Sequence, residues 1–161
     1  MVGIQGRRDR PPVRSRGMAY TFQVAVDCRD PHVLADWWAD ALGWDVEPQD
    51  EEFIRRMISE GYATDADTTT HRGRLVWRDG AAISHPDGLS AAPRVLFQRV
   101  PEPKTVKNRV HLDLRVGDNA ATEAVSRLIA AGATFMHEGH QGPHAWVTLT
   151  DPEGNEFCVT G

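Results

Sequence analysis

The stretch Arg109-Val110-His111-Leu112-Asp113-Leu114-Arg115-Val116-Gly117-Asp118 decides the fold. Polar and apolar residues alternate through it and stop at Gly117-Asp118, ahead of a helix-like run. Alternation with period two marks a half-buried strand, because successive side chains leave a strand on opposite faces. Leu112, Leu114 and Val116 share one face, and His111, Asp113 and Arg115 share the other. Aliphatic residues behind and three ionisable groups in front read as a pocket wall backed by a core. The same plan occurs in Phe22-Gln23-Val24-Ala25-Val26-Asp27-Cys28-Arg29-Asp30. Gln23 precedes Asp30 by seven residues, as His111 precedes Asp118.

Each of these strands leads into a helix. Asp30 is a predicted N-cap, with Pro31 at the first helical position, where its missing N–H costs nothing. Leu34, Trp37, Trp38, Ala41 and Leu42 then form one apolar stripe, which reads the tryptophans as core packing. Gly43 is the expected left-handed stop. In the second half Asp118 is the predicted cap, Ala121, Ala124, Val125, Leu128 and Ile129 repeat the stripe, and Gly132 follows.

Strands are expected at residues 20–28, 44–47 and 94–100, the first placing Phe22, Val24 and Val26 on the core. Three more are expected at 133–137, 145–149 and 156–160, the last two joined by Asp151-Pro152-Glu153-Gly154-Asn155. Arg74-Leu75-Val76-Trp77 and Ala81-Ala82-Ile83 flank Asp79-Gly80, which predicts a hairpin. Residues 50–61 read as a short helix carrying Phe53, Ile54, Met57 and Ile58, and 63–74 as a Thr-rich loop. This region, about residues 48–73, reads as an insertion packed over an edge or a pocket mouth. His137, His140 and His144 are separated by Gly139 and Gly142, which predicts a mobile loop. Pro101-Glu102-Pro103-Lys104 cannot continue a central strand, so 101–108 reads as a linker.

The fold class is therefore α+β, with tandem βαβββ modules over residues 19–100 and 109–161 at an offset of 88 residues. Composition agrees, since 40% hydrophobic and 25% charged residues are ordinary for a soluble domain. The net charge of −5 is uneven: residues 1–17 carry +4, leaving −9 on the rest. An acidic body argues against nucleic acid as a partner. Residues 1–18 read as a disordered basic tail, since they lack periodicity and contain Pro11-Pro12. No apolar run approaches the roughly 20 residues of a membrane span. Cys28 and Cys158 form neither a disulfide framework nor a metal motif, so a cytoplasmic location is expected.

The tandem repeat, the Asp-capped helices and the Asp-Pro-Glu-Gly-Asn turn together resemble the vicinal oxygen chelate superfamily. That superfamily includes glyoxalase I, extradiol dioxygenases, fosfomycin resistance proteins and bleomycin-binding proteins. Within it, FQRVPEPK, KNRVHLDLRV and DPEGNEFCV resemble a glyoxalase-like subfamily. The resemblance implies a curved mixed sheet around a central cavity. In metal-using relatives, four side chains converge there from the first and last strands of both modules. The matching positions are Gln23, Gln98, His111 and Cys158, where relatives usually carry His or Gln, Glu, His and Glu.

Both carboxylates of that pattern are absent, and hard divalent ions prefer carboxylate oxygen. The resemblance thus implies no standard metal quartet, and no cofactor is expected. A divalent metal would need a rearranged ligand set. Asp27, Asp113 and Glu156 lie on the same strand faces, and a β-bulge would present Glu156 in place of Cys158. An Asp27/Asp113 pair would bind a cation or serve as acid and base. Cys158 would act as a nucleophile only with His111 as its activator, and His111 is the first candidate for any catalytic role. The expected function is binding of a small organic molecule in a pocket of Gln23, Asp27, Gln98, His111, Asp113, Glu156 and Cys158. A metal-dependent lyase or dioxygenase is the alternative. A homodimer is also implied, because such folds often pair their modules.

Overall fold

Two copies of one strand-helix-three-strand unit carry the fold in the computed structural model, which describes residues 20–117 and 119–161. The first copy contains β1 (Val24–Cys28), α1 (Pro31–Leu42), β2 (Asp45–Val46), β5 (Gly80–Ser84) and β6 (Val95–Arg99). The second contains β7 (Leu112–Arg115), α3 (Ala121–Ala130), β8 (Thr134–Gln141), β9 (His144–Thr150) and β10 (Glu156–Thr160). Their sheets have the orders β1-β6-β5-β2 and β7-β10-β9-β8, so corresponding strands occupy corresponding places. In each, the first and last strands pair in parallel and the remaining pairs are antiparallel. Between β2 and β5 lie α2 (Glu51–Ser59) and a two-stranded ribbon of β3 (Thr68–His71) and β4 (Arg74–Trp77). No helix among the described residues is long and apolar enough to cross a membrane.

One apolar cluster joins both copies. Phe97, Ile83 and Val95 from the first sheet meet Leu149, Phe157 and Val159 from the second, with Leu34, Ala35 and Trp38 of α1 in the same cluster. Trp38 sits edge-on to Phe157 at 5.1 Å between centroids, a favourable aromatic geometry. The two indoles also reach across the repeat. Trp37 donates to the Ala131 carbonyl at 2.9 Å, and Trp38 donates to the Asp151 carboxylate at 3.0 Å. Asp151 is buried and also accepts from the backbone amides of Glu153 and Asn155, so the same side chain shapes its turn. From that turn Glu153 accepts the amides of Arg29 and Asp30, fastening the start of α1 to the second copy.

Helix α1 forms as its sequence predicts, with the Asp30 side chain accepting from the Val33 amide and Gly43 left-handed at φ 68°. Five expectations change. Strand β1 starts at Val24, and Tyr20 and Phe22 are exposed rather than on the core. Its ladder opens with the Val24 amide on the Arg94 carbonyl, and Pro93, just before, has no N–H with which to extend it. Helix α3 is capped at Ala120 without a side-chain bond, and Asp118, the expected cap, lies outside the described residues.

Strand β4 pairs with β3 instead of β5, through a turn in which Arg72 and Gly73 both have positive φ. Two such residues give the turn handedness that suits strand twist, whereas Ala81, Ala82 and Ile83 are all buried in a strand flanked on both sides. For the same reason part of the Thr-rich loop is strand: Thr68, Thr69 and Thr70 are β-branched and have β4 as partner. Finally, the His137–His144 region is a long hairpin rather than a loop. Its weak strand formers are carried by the strong ones in β9, and Trp146 packs over Gly139 so closely that no Cβ would fit.

The insertion docks on α1. His71 and Arg72 meet the Asp36 carboxylate at 2.7 and 2.8 Å, and His32 donates to the Trp77 carbonyl at 2.8 Å. Gln49 ties it to β5, accepting from the Trp77 amide and donating to the Gly80 carbonyl.

Removing the Asp151 carboxylate strands the Trp38 indole N–H and two turn amides. Asp151→Ala is expected to lower stability by roughly 3 kcal/mol, and Trp38→Phe by less, because it leaves the turn amides served. Chemical denaturation of both single variants and the double variant checks this; additive losses would deny the coupling.

Candidate functional site

Strand pairing assembles a polar row across the second sheet. Asp113 on β7 is the register partner of Cys158 on β10, Cys158 of Thr148 on β9, and Thr148 of His137 on β8. Register partners share a face, so four side chains line up on the face opposite the core residues Leu114, Phe157 and Val159. Thr148 Oγ1 lies 3.6 Å from Cys158 Sγ and 3.3 Å from His137 Nε2. At the other end, His111 stands just before β7 and turns its Nδ1 to Asp113 Oδ1 at 2.9 Å. Ligating atoms of His111, Asp113 and Cys158 all lie within 4.8 Å of one another, a group found once among the described residues.

The corresponding row of the first sheet is apolar. At the 88-residue offset Ala25 corresponds to Asp113, and its partners are Leu96 and then Ala82. Gln98 sits one step along, paired with Asp27. Gln23 accepts from Arg94 at 2.8 Å, and Arg94 in turn pairs with Glu47 at 2.8 Å. A guanidinium on that amide oxygen opposes a metal cation there. The four positions matched to a metal quartet thus carry no carboxylate of their own, and Gln23 has a cation on its amide oxygen. Asp27 stands outside the His111 group, so the Asp27/Asp113 pair is not part of it.

Beside this row, a cavity of about 740 Å³ opens where β1 meets the linker and the β9–β10 turn. Its wall includes Asp27, His111 and Glu156, whereas Gln23, Gln98, Asp113 and Cys158 lie outside it. Val24, Val26, Leu112 and Phe157 contribute apolar surface, and Arg29, Lys104 and Arg109 contribute cations. No residue of the insertion lines it, so the insertion does not cover the mouth. Lys104, Arg109 and the Asp151 turn were not anticipated as wall residues. Their only signal was position, in the linker and the turn, and nothing in residue spacing says that these two segments meet.

Glu156 does not substitute for Cys158. Its side chain is nearly buried, paired with Lys104 at 3.1 Å and accepting the Asn108 amide at 3.0 Å. Burial alone would push the carboxyl up, but the Asn108 amide, its own amide and the Lys104 ammonium outweigh that and bring it down to about 2. Glu156 thus straps the linker along the cavity. Cys28, also in the wall, is an inert thiol: burial first, then Glu153, Asp30, Asp151 and Asp27, pushes it up to about 12.

Residues 23–160 match the family model described as a glyoxalase-like domain. No curated protein matches the chain by sequence. Among solved structures, a hypothetical protein from S. aureus aligns with TM-score 0.59 and 14% identity, over 90% of this chain and 95% of that one. The genomically encoded fosfomycin resistance protein FosX from Listeria monocytogenes aligns with TM-score 0.57 and 9% identity, over 89% and 93%. A glyoxalase/bleomycin resistance protein/dioxygenase family enzyme from Burkholderia phytofirmans PsJN aligns with TM-score 0.56 and 16% identity, over 86% and 94%. At these identities the likeness establishes the fold.

The low value at Glu156 has a consequence for stability. A carboxyl depressed in the folded state stabilises above its unfolded value, near 4.5, and that contribution is lost as pH falls towards about 2. Wild type should therefore exceed Glu156→Gln in unfolding free energy at neutral pH, with the gap closing across this acidic window. Denaturant titrations at several pH values measure it, and a gap independent of pH would contradict the assignment.

Proposed function

The chain belongs to the glyoxalase-like domain family, and on that premise we propose that it binds a small organic molecule in the cavity between its two copies of the repeat. One observation carries this reading: the cavity of about 740 Å³ falls within the 300–1,000 Å³ usual for small-molecule sites. Its lining suits a ligand with an apolar body and ionised or hydrogen-bonding groups. Val24, Val26, Leu112 and Phe157 would take the former, and His111, Arg29 and Arg109 the latter.

A second reading, a metal-dependent lyase or dioxygenase, draws support from the convergence of His111, Asp113 and Cys158. Among the similar folds is a mutant of the Listeria fosfomycin resistance protein complexed with Mn(II) and 1S,2S-dihydroxypropylphosphonic acid. This reading requires metal-dependent turnover of glutathione thiohemiacetals or catechols that falls at least about 100-fold in His111→Ala. A homodimer is also proposed. Its support is β8, an eight-residue edge strand with Phe135 and Met136 exposed, and sedimentation equilibrium decides it.

Ligand-detected NMR with fosfomycin, bleomycin, catechols, glutathione thiohemiacetals and a fragment library tests the cavity. Wild type should bind at least one compound, and Ala25→Trp, which fills the cavity from β1, should lose it while keeping its circular dichroism. Hits indifferent to Ala25→Trp, or no hits at all, would overturn the reading.

A further inference from the structure

Resting on the cavity reading above, we infer that the ligand is a zwitterion, an organic molecule with an apolar body that carries both an ammonium and a carboxylate group. The charge of the ligand follows from which ionised groups of the wall already have partners and which do not.

The carboxylates of the β9–β10 turn are occupied. Asp151 accepts from the Trp38 indole and from the Glu153 and Asn155 amides. Glu153 accepts from the Arg29 and Asp30 amides at 2.6 and 2.9 Å. Glu156 is paired with Lys104, and His111 is turned to Asp113. Four ionised side chains of the wall are left: Asp27, Arg29, Glu102 and Arg109. Among the described residues, none of these four has an opposite charge within 4.0 Å.

They come as one anion and one cation from each of two walls. Asp27 lies in β1 and Arg29 one residue past its end, while Glu102 lies early in the linker and Arg109 just after it. Both walls are fastened: β1 by pairing with β6, its end by Glu153, and the linker by Glu156 through Lys104 and the Asn108 amide. Opposite charges that line one cavity without touching leave their attraction to a molecule that spans them.

A ligand of one sign meets the other sign as well. A simple anion drawn to Arg29 and Arg109 faces Asp27 and Glu102, and a simple cation on the carboxylates faces both arginines. A zwitterion answers both, its ammonium on Asp27 and Glu102 and its carboxylate on the arginines, whose forked donors match carboxylate geometry. The field at β1 agrees with the ammonium placement. After burial, the causes that push Cys28 up to about 12 are the carboxylates Glu153, Asp30, Asp151 and Asp27.

The test titrates the full chain with probes that share one apolar body and differ only in charge. One series is L-phenylalanine, phenethylamine and hydrocinnamate, and the other is L-leucine, isoamylamine and isocaproate. In at least one series the amino acid should bind about 10-fold or more tighter than its amine and its acid. Asp27→Asn should weaken the amino acid by roughly 10-fold and leave the acid unchanged or tighter. Arg29→Gln should weaken the amino acid and the acid and spare the amine, whereas structural damage would lower all three together. Circular dichroism confirms that each variant is folded. The assignment is overturned if an amine or acid binds as tightly as its amino acid, if no amino acid binds, or if binding is indifferent to both substitutions. Fragment hits that Ala25→Trp abolishes would, beside any of these results, leave the cavity reading standing, and the absence of such hits removes both.

Discussion

The Trp38–Asp151 hydrogen bond is the contact on which the arrangement of the two repeats depends. Asp151 is a buried carboxylate that shapes the β9–β10 turn through the Glu153 and Asn155 amides and still accepts an indole N–H from the other copy. A buried carboxylate is tolerable only when its oxygens are satisfied, so the turn and the position of α1 are set together. Glu153, two residues on, extends the same turn to the amides of Arg29 and Asp30. Trp37 on Ala131 and Arg127 on the Asp40 and Ala41 carbonyls add directional contacts to the apolar cluster that the two copies share. They fix where the cavity lies, because β1 and the β9–β10 turn are two of its walls.

The repeat is symmetric in topology and asymmetric in chemistry. Corresponding strands pair alike, yet the row holding Asp113, Cys158 and Thr148 in one sheet holds Ala25, Leu96 and Ala82 in the other. Duplicated folds tolerate this because strand pairing uses the backbone, and only the core face must remain apolar. The opposite face is free to diverge. The insertion follows the same logic: it docks on the outside of α1 through Asp36, His32 and His71, and leaves the cavity unobstructed.

Much of the fold was legible in local residue chemistry. The β1–α1 unit follows from alternation, an Asp cap, a first-turn proline and a terminal glycine, all of which act over a few residues. Where expectation failed, strand pairing overrode the local signal. Asp79-Gly80 is a good turn sequence, but Arg72-Gly73 turns β4 onto β3, and β5 pairs in the main sheet. Phe22 has the right parity for the core, but the ladder ends at Val24. The segment from His137 to His144 looks like a loop by composition, and only β9 makes it a strand. The site was partly legible. Parity put His111 and Asp113 on one face, and the family resemblance added Cys158 to the same expected pocket. That these three stand together without Gln23, Gln98 or Glu156 was not legible, since parity says nothing about register between distant strands.

The sequence by itself determined the repeat, the helix boundaries of α1, the polarity of the β1 and β7 faces and the family to which the chain belongs. These depend on periods and caps, which neighbouring residues set. Tertiary structure decided which polar residues meet. Cys158 lies 45 residues from Asp113, and only the β7–β10 register makes them partners, while the same register gives the first sheet an apolar row. It also put Glu156 on Lys104 and Arg94 on Gln23, through ion pairing and hydrogen bonding that chain-local chemistry does not encode.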